Sequence, residues 1–156
     1  MVKNITKVIT ISIFAFILGA CSVSRDPIDV AEFYEMLTER GFVVLDLTYQ
    51  ADEHYIDFDI VLLLMASAEN QRIQLTQYKN YSAAQRTFYY FRNQADEILR
   101  NGNYVRRTAE GTNFSTFSIN ASGVYISMLR IDNITLIAEV PSRYRDEIRE
   151  IIGNFN

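Results

Sequence analysis

The sequence predicts an α+β fold: a two-layer sandwich in which an antiparallel sheet carries about three helices packed on one face. Three observations predict it. Segments with apolar residues at steps of three or four open, divide and close the chain beyond residue 25. Between them lie short runs rich in β-branched and aromatic residues, some alternating and some continuously apolar. Turn sequences of two or three residues separate most of these runs, and strands joined that tightly must pair antiparallel.

Asp26-Pro27 offers a cap and a first helical residue, and Val30, Phe33, Tyr34 and Leu37 then follow helical spacing until Gly41. Phe42 to Tyr49 alternates Leu45 and Leu47 with Asp46 and Thr48, which predicts a strand, and polar Gln50 to Asp57 predicts a loop. Ile60 to Ala66 and Arg72 to Tyr78, with Glu69-Asn70-Gln71 between them, predict a hairpin. Ser82 can cap a second helix through Leu99, with Ala84, Phe88, Phe91, Ala95 and Ile98 along one side. Four short strands follow, over Tyr104 to Thr108, Asn113 to Ile119, Val124 to Ile131 and Thr135 to Val140. Pro141-Ser142 starts a last helix whose apolar stripe is Tyr144, Ile148, Ile151, Ile152 and Phe155. The two halves, each of strands followed by a helix, show no residue-level repeat.

The amino end has a different logic. Lys3 and Lys7 precede an apolar run from Val8 to Leu18 with no acid among them, the charged-then-apolar order of an export signal. That run is shorter than the roughly 20 apolar residues a spanning helix needs. It ends in Leu18-Gly19-Ala20-Cys21, which resembles the lipobox of bacterial lipoproteins. The resemblance implies cleavage between Ala20 and Cys21 and a diacylglyceryl thioether on Cys21. Cys21 is the single cysteine of the chain, so an exported form has no intramolecular disulfide partner for it. The alternative is an ordinary signal peptide cleaved after Ala20 with a chance cysteine next. The domain organisation read this way is a signal at 1–20, a lipidated amino terminus and short tether at 21–25, and one domain at 26–156. The location expected is a cell membrane or outer membrane, with the domain outside the cytoplasm and the bilayer as its partner through acylated Cys21.

From Cys21 on, 13 basic residues face 19 acidic ones, a formal charge of −6. Nucleic acid demands a basic surface, so the composition argues against it as a partner. The basic residues of this part are 12 Arg and Lys79, and Tyr occurs 10 times. Both residue types are favoured at recognition surfaces, where each covers apolar area and keeps hydrogen-bonding capacity.

Catalytic chemistry finds little to assemble. His54 is the only histidine and no Gly-x-Ser-x-Gly elbow occurs, so no catalytic residue is assigned and no cofactor is expected. Asp52, Glu53, His54, Asp57 and Asp59 are the densest group of hard ligands and weak candidates for a divalent cation; an EF-hand's glycine and final glutamate are missing. A solvated acidic loop is the plainer reading. Tyr89 and Tyr90, with Arg86 and Arg92, could form an interaction surface beside the core stripe of the second helix, or simply pack at its edge. Arg106 and Arg107 fall on a predicted strand and should point to opposite faces, so they imply no continuous basic patch.

Met36-Leu37-Thr38-Glu39-Arg40-Gly41-Phe42-Val43-Val44-Leu45-Asp46 runs from a helix through glycine into a strand. Leu129 to Val140 with Tyr144-Arg145-Asp146-Glu147-Ile148 gives strand, turn, strand and final helix. With the lipobox, these stretches resemble small surface lipoproteins of Gram-positive bacteria. The resemblance implies a tethered envelope domain and brings no activity or site residue with it. The function expected is a non-enzymatic binding or protein-interaction module at the cell envelope, possible partners including another envelope protein. The alternatives are a small hydrolase or metal-binding protein using the Asp52–Asp59 loop, and a solute-binding lipoprotein.

Overall fold

The computed structural model describes residues 23–54, 59–99 and 103–155, with residues 52–54, 98 and 99 described in backbone only. In these residues the chain runs α1 (Val30–Glu39), β1 (Val43–Asp46), α2 (Thr48–His54), β2 (Ile60–Ala68), β3 (Gln71–Tyr78) and α3 (Tyr81–Leu99). It continues with β4 (Tyr104–Glu110), β5 (Phe114–Ala121), β6 (Val124–Ile131), β7 (Ile134–Pro141), a 3-10 turn (Ser142–Tyr144) and α4 (Arg145–Gly153). The seven strands form one sheet in the order β1-β2-β3-β7-β6-β5-β4, antiparallel at every pairing. The fold is α+β. Two meanders meet at the β3–β7 pairing, and α3 carries the chain from β3 to the far edge at β4.

Local chemistry sets the boundaries. The α1 cap is Asp29, whose Oδ1 accepts from the N–H groups of Ala31 at 2.8 Å and Glu32 at 3.3 Å. The helix therefore begins later than Asp26-Pro27 suggests. Ile28 and Phe33 occupy the staple positions before and after the cap, and both lie in the same core cluster. Asn80, rather than Ser82, caps α3, its Oδ1 accepting from the Ala83 N–H at 2.9 Å. The strand expected over Phe42 to Tyr49 stops at Asp46, and the expected loop begins as α2. Asp46 Oδ1 accepts from both the N–H and the hydroxyl of Thr48, at 2.9 and 2.6 Å, and turns the backbone out of the sheet there. The β5–β6 hairpin closes on Ser122 and Gly123 with φ of +52° and +82°, the pair of left-handed residues that a type I′ turn requires.

The helices cover both faces of the sheet, which corrects the expectation of a two-layer sandwich with its helices on one face. Strand alternation gives the reason. One set of side chains, including Leu75, Leu129, Leu136 and Ala138, packs with Phe33 and Leu37 of α1 and Ile148 and Ile151 of α4. The alternate set, including Phe117, Ile119 and Met128, packs with Phe88 and Ala95 of α3. A sheet that is apolar on both sides needs cover on both. The register keeps each set together, pairing Leu129 with Leu136 on the first face and Met128 with Ile137 on the second. No helix among the described residues is long and apolar enough to cross a membrane.

Candidate functional site

On the face covered by α1 and α4, the β4–β5 side of the sheet lies open. Two adjoining cavities there, of about 290 Å³ and 230 Å³, share Arg107, Ser118 and Arg149 in their walls. Together they form a groove. Its floor carries Thr116, Ser118 and Asn120 of β5 with Tyr125 and Ser127 of β6, and its outer wall is β4. Arg145 and Arg149 of α4 form the opposite wall, and Arg25 closes one end. The lining holds four arginines and no acid.

Each arginine arrives by a different route. Every residue of β4 is exposed, and strand alternation sends Arg107 into the groove and Arg106 to the other face. There Arg106 Nη1 bonds Asp96 Oδ2 of α3 at 3.0 Å. No ion pair involves Arg107 among the described residues. Arg145 donates to both oxygens of Asp146, at 3.0 and 3.2 Å. Those hydrogen bonds raise the pKa of Arg145 and lower that of Asp146. Arg149 Nη1 lies 3.8 Å from the same carboxylate. One carboxylate at the rim therefore answers two of the four cations.

Arg25 is held by its backbone. Its N–H donates to Asn113 Oδ1 at 3.0 Å, and its carbonyl accepts from Asn113 Nδ2 at 2.9 Å. The Thr112 N–H donates to the Val23 carbonyl at 2.9 Å. The guanidinium lies 3.9 Å from the centroid of the Phe114 ring, and partial burial lowers its pKa from the ordinary arginine value. It stays cationic at neutral pH, because an arginine guanidinium is not deprotonated in a protein. Residues 23–25 are thus bonded to the β4–β5 turn at one end of the groove.

The side chains singled out in the sequence sit elsewhere. Tyr89 donates to Glu110 Oε1 at 3.0 Å, and Arg92 Nη1 lies 3.4 Å from the same oxygen. These two residues clamp α3 to β4. Tyr90 is exposed and its ring meets Phe91 edge-on. Arg86 bonds Ser82 Oγ at 3.2 Å and lies 3.9 Å from Asp59. The four expected residues therefore divide between an internal clamp and an outer helix surface. Of the candidate metal ligands, Asp57 and the side chains of Asp52, Glu53 and His54 lie outside the described residues, as do Ala20 and Cys21. Asp59 faces Arg86, and no group of three or more ligand side chains occurs among the described residues.

On the opposite face, Leu47, Ala51, Ile60, Leu63, Met65 and Phe91 surround a second cleft of about 300 Å³, with Gln74, Tyr78 and Thr87 at its polar side. Comparison of the chain with protein-family models, curated proteins and solved structures finds no match.

Proposed function

We propose that this chain is a lipid-anchored, non-enzymatic binding module of a bacterial cell envelope, held outside the cytoplasm through acylated Cys21 and working through the arginine groove. One observation carries the reading. Residues 23–25, one residue beyond the Leu18–Cys21 box, are bonded to the domain at the end of a groove lined by four arginines. An anchor at Cys21 would hold that groove at a fixed place beside the membrane. Arginine and hydroxyl side chains suit an oxyanion partner, since the guanidinium donates two parallel hydrogen bonds to carboxylate or phosphate.

The test is cross-linking on living cells that express the tagged chain, with Cys21→Ala as the unanchored form, followed by mass spectrometry of the mature amino terminus and of captured species. An acylated Cys21, with capture that depends on it and falls when Arg107 and Arg149 are replaced by Gln, is the expected result. An unmodified Cys21 removes the tether from the reading. Capture that ignores the arginines removes the groove.

A second reading, capture of a small apolar solute, draws on the cleft around Leu63 and Phe91, whose volume sits at the low end of small-molecule sites. Saturable binding of a fluorescent apolar probe, lost on Ala51→Phe, would favour it.

A further inference from the structure

We infer that the groove's occupant is the phosphate of anionic phospholipid headgroups in the membrane that carries the chain, so that the domain lies on the bilayer in one orientation. The inference rests on the proposed tether and names the partner of the same groove.

Distance supports it first. Val23, whose carbonyl is fixed to Thr112, is two residues from Cys21, and a fully extended chain spans at most about 3.6 Å per residue. A lipid on Cys21 therefore keeps Val23 within roughly 7 Å, and Arg25 at the end of the groove within roughly 14 Å, of the Cys21 backbone. The headgroup layer of a bilayer is about 5–8 Å deep, so the groove's end stays within about two headgroup depths of the anchor. Charge supports it second. The part of the chain from Cys21 on is acidic overall, and an anionic surface repels it in most orientations. The groove offers the opposite sign in one concentrated place, with Asp146 at its rim already committed to Arg145 and Arg149. Form supports it third, because the groove is an open trough along β4, β5 and β6 at the edge of the sheet, accessible to headgroups from outside. A tethered domain with one basic face will turn that face to an anionic bilayer.

The experiment uses the full-length product recovered from bacterial membranes in detergent and reconstituted into vesicles of phosphatidylcholine alone or with phosphatidylglycerol. Amide hydrogen exchange over residues 104–110 and 145–149 reports docking, and the mass of the amino-terminal peptide reports lipidation separately. The expected result is slower exchange in both segments with phosphatidylglycerol, absent with phosphatidylcholine and reversed by high salt. Each arginine near an anionic surface contributes about fivefold to surface partition, so Arg107→Gln with Arg149→Gln weakens docking about 25-fold and abolishes the protection. Both side chains lie at the surface, and unchanged thermal unfolding confirms that the variant is folded. Equal exchange in the two lipids overturns the proposal, as does protection that survives the double substitution. So does cross-linking of the groove to a protein partner with exchange indifferent to lipid. A chain recovered without lipid overturns the tether and leaves the lipid question decidable, because the same comparison is then made with protein added to preformed vesicles.

Discussion

Two side chains show how much of this molecule hangs on single residues. Arg130 on β6 is 1 % exposed yet has no carboxylate partner among the described residues. Its Nη1 reaches the carbonyls of Asn113 at 3.1 Å and Asp132 at 3.3 Å, its Nη2 reaches Ser115 Oγ at 2.9 Å, and Tyr81 lies over the guanidinium. The charge is solvated by dipoles and a ring in place of a counterion. Arg130→Met fills similar space and strands those acceptors, so a loss of about 1–3 kcal/mol in urea unfolding is expected. Arg130→Lys should recover little of it, because an ammonium lacks the planar fork that reaches both carbonyls and the hydroxyl. Gly111 has the opposite character: a Cβ there would meet the Phe114 ring and the Val23 carbonyl. Gly111→Ala should cost about 1–3 kcal/mol, and the first sign should be faster proteolysis between residues 23 and 29, as the segment leaves the β4–β5 turn.

At the scale of the element, α2 is where sequence reasoning fell short, and the reason is physical. Leu45 and Leu47 alternate with Asp46 and Thr48 as a strand should, and Tyr49 to His54 carries no apolar stripe. The decisive event is the local bond from Thr48 to the Asp46 carboxylate, which alternation cannot register. It also predicts a pH response. The Thr48 side-chain and backbone hydrogen bonds hold the Asp46 carboxyl below the usual carboxylate range. A group with a depressed folded pKa stabilises fully above its unfolded value, near 3.9, and that contribution is lost as pH falls through the folded value. Amide protection over α2, taken as exchange relative to the intrinsic rate at each pH, should therefore fall selectively in acid below about pH 4. Asp46→Asn keeps an acceptor for Thr48 without the titration, and its protection should stay constant across the same interval. The hairpins were legible because their turn residues and alternating partners are local. At the sheet's edge, Arg106 and Arg107 sit at the centre of β4, where charge discourages a second chain from adding a strand.

For the whole molecule, the groove could not be read from the sequence because its cations lie at positions 25, 107, 145 and 149. The return of β7 to the middle of the sheet brings them together, and no local pattern announces that return. The same topology hid the second covered face. Strand composition allowed burial on both sides, but a reading of tight turns alone placed every helix together. β7 joins the two meanders, pairing with β3 on one side and β6 on the other, and Leu136 at its centre is fully buried. Leu136→Ala should cost about 2–5 kcal/mol. It should lower the unfolding midpoint as one transition, since separate transitions for the two meanders would mean that β7 does not couple them.

The position of β7 has a further consequence for the order of events in synthesis. The strand at the middle of the sheet is the last of the seven in the chain, so a nascent polypeptide that stops before Ile134 holds two partial sheets with nothing between them. Were the amino end to act as an export signal, that arrangement would serve as a timer. The leading part could then thread through a narrow translocation channel without locking into its final shape, and assembly would wait until nearly all of the polypeptide had emerged on the far side.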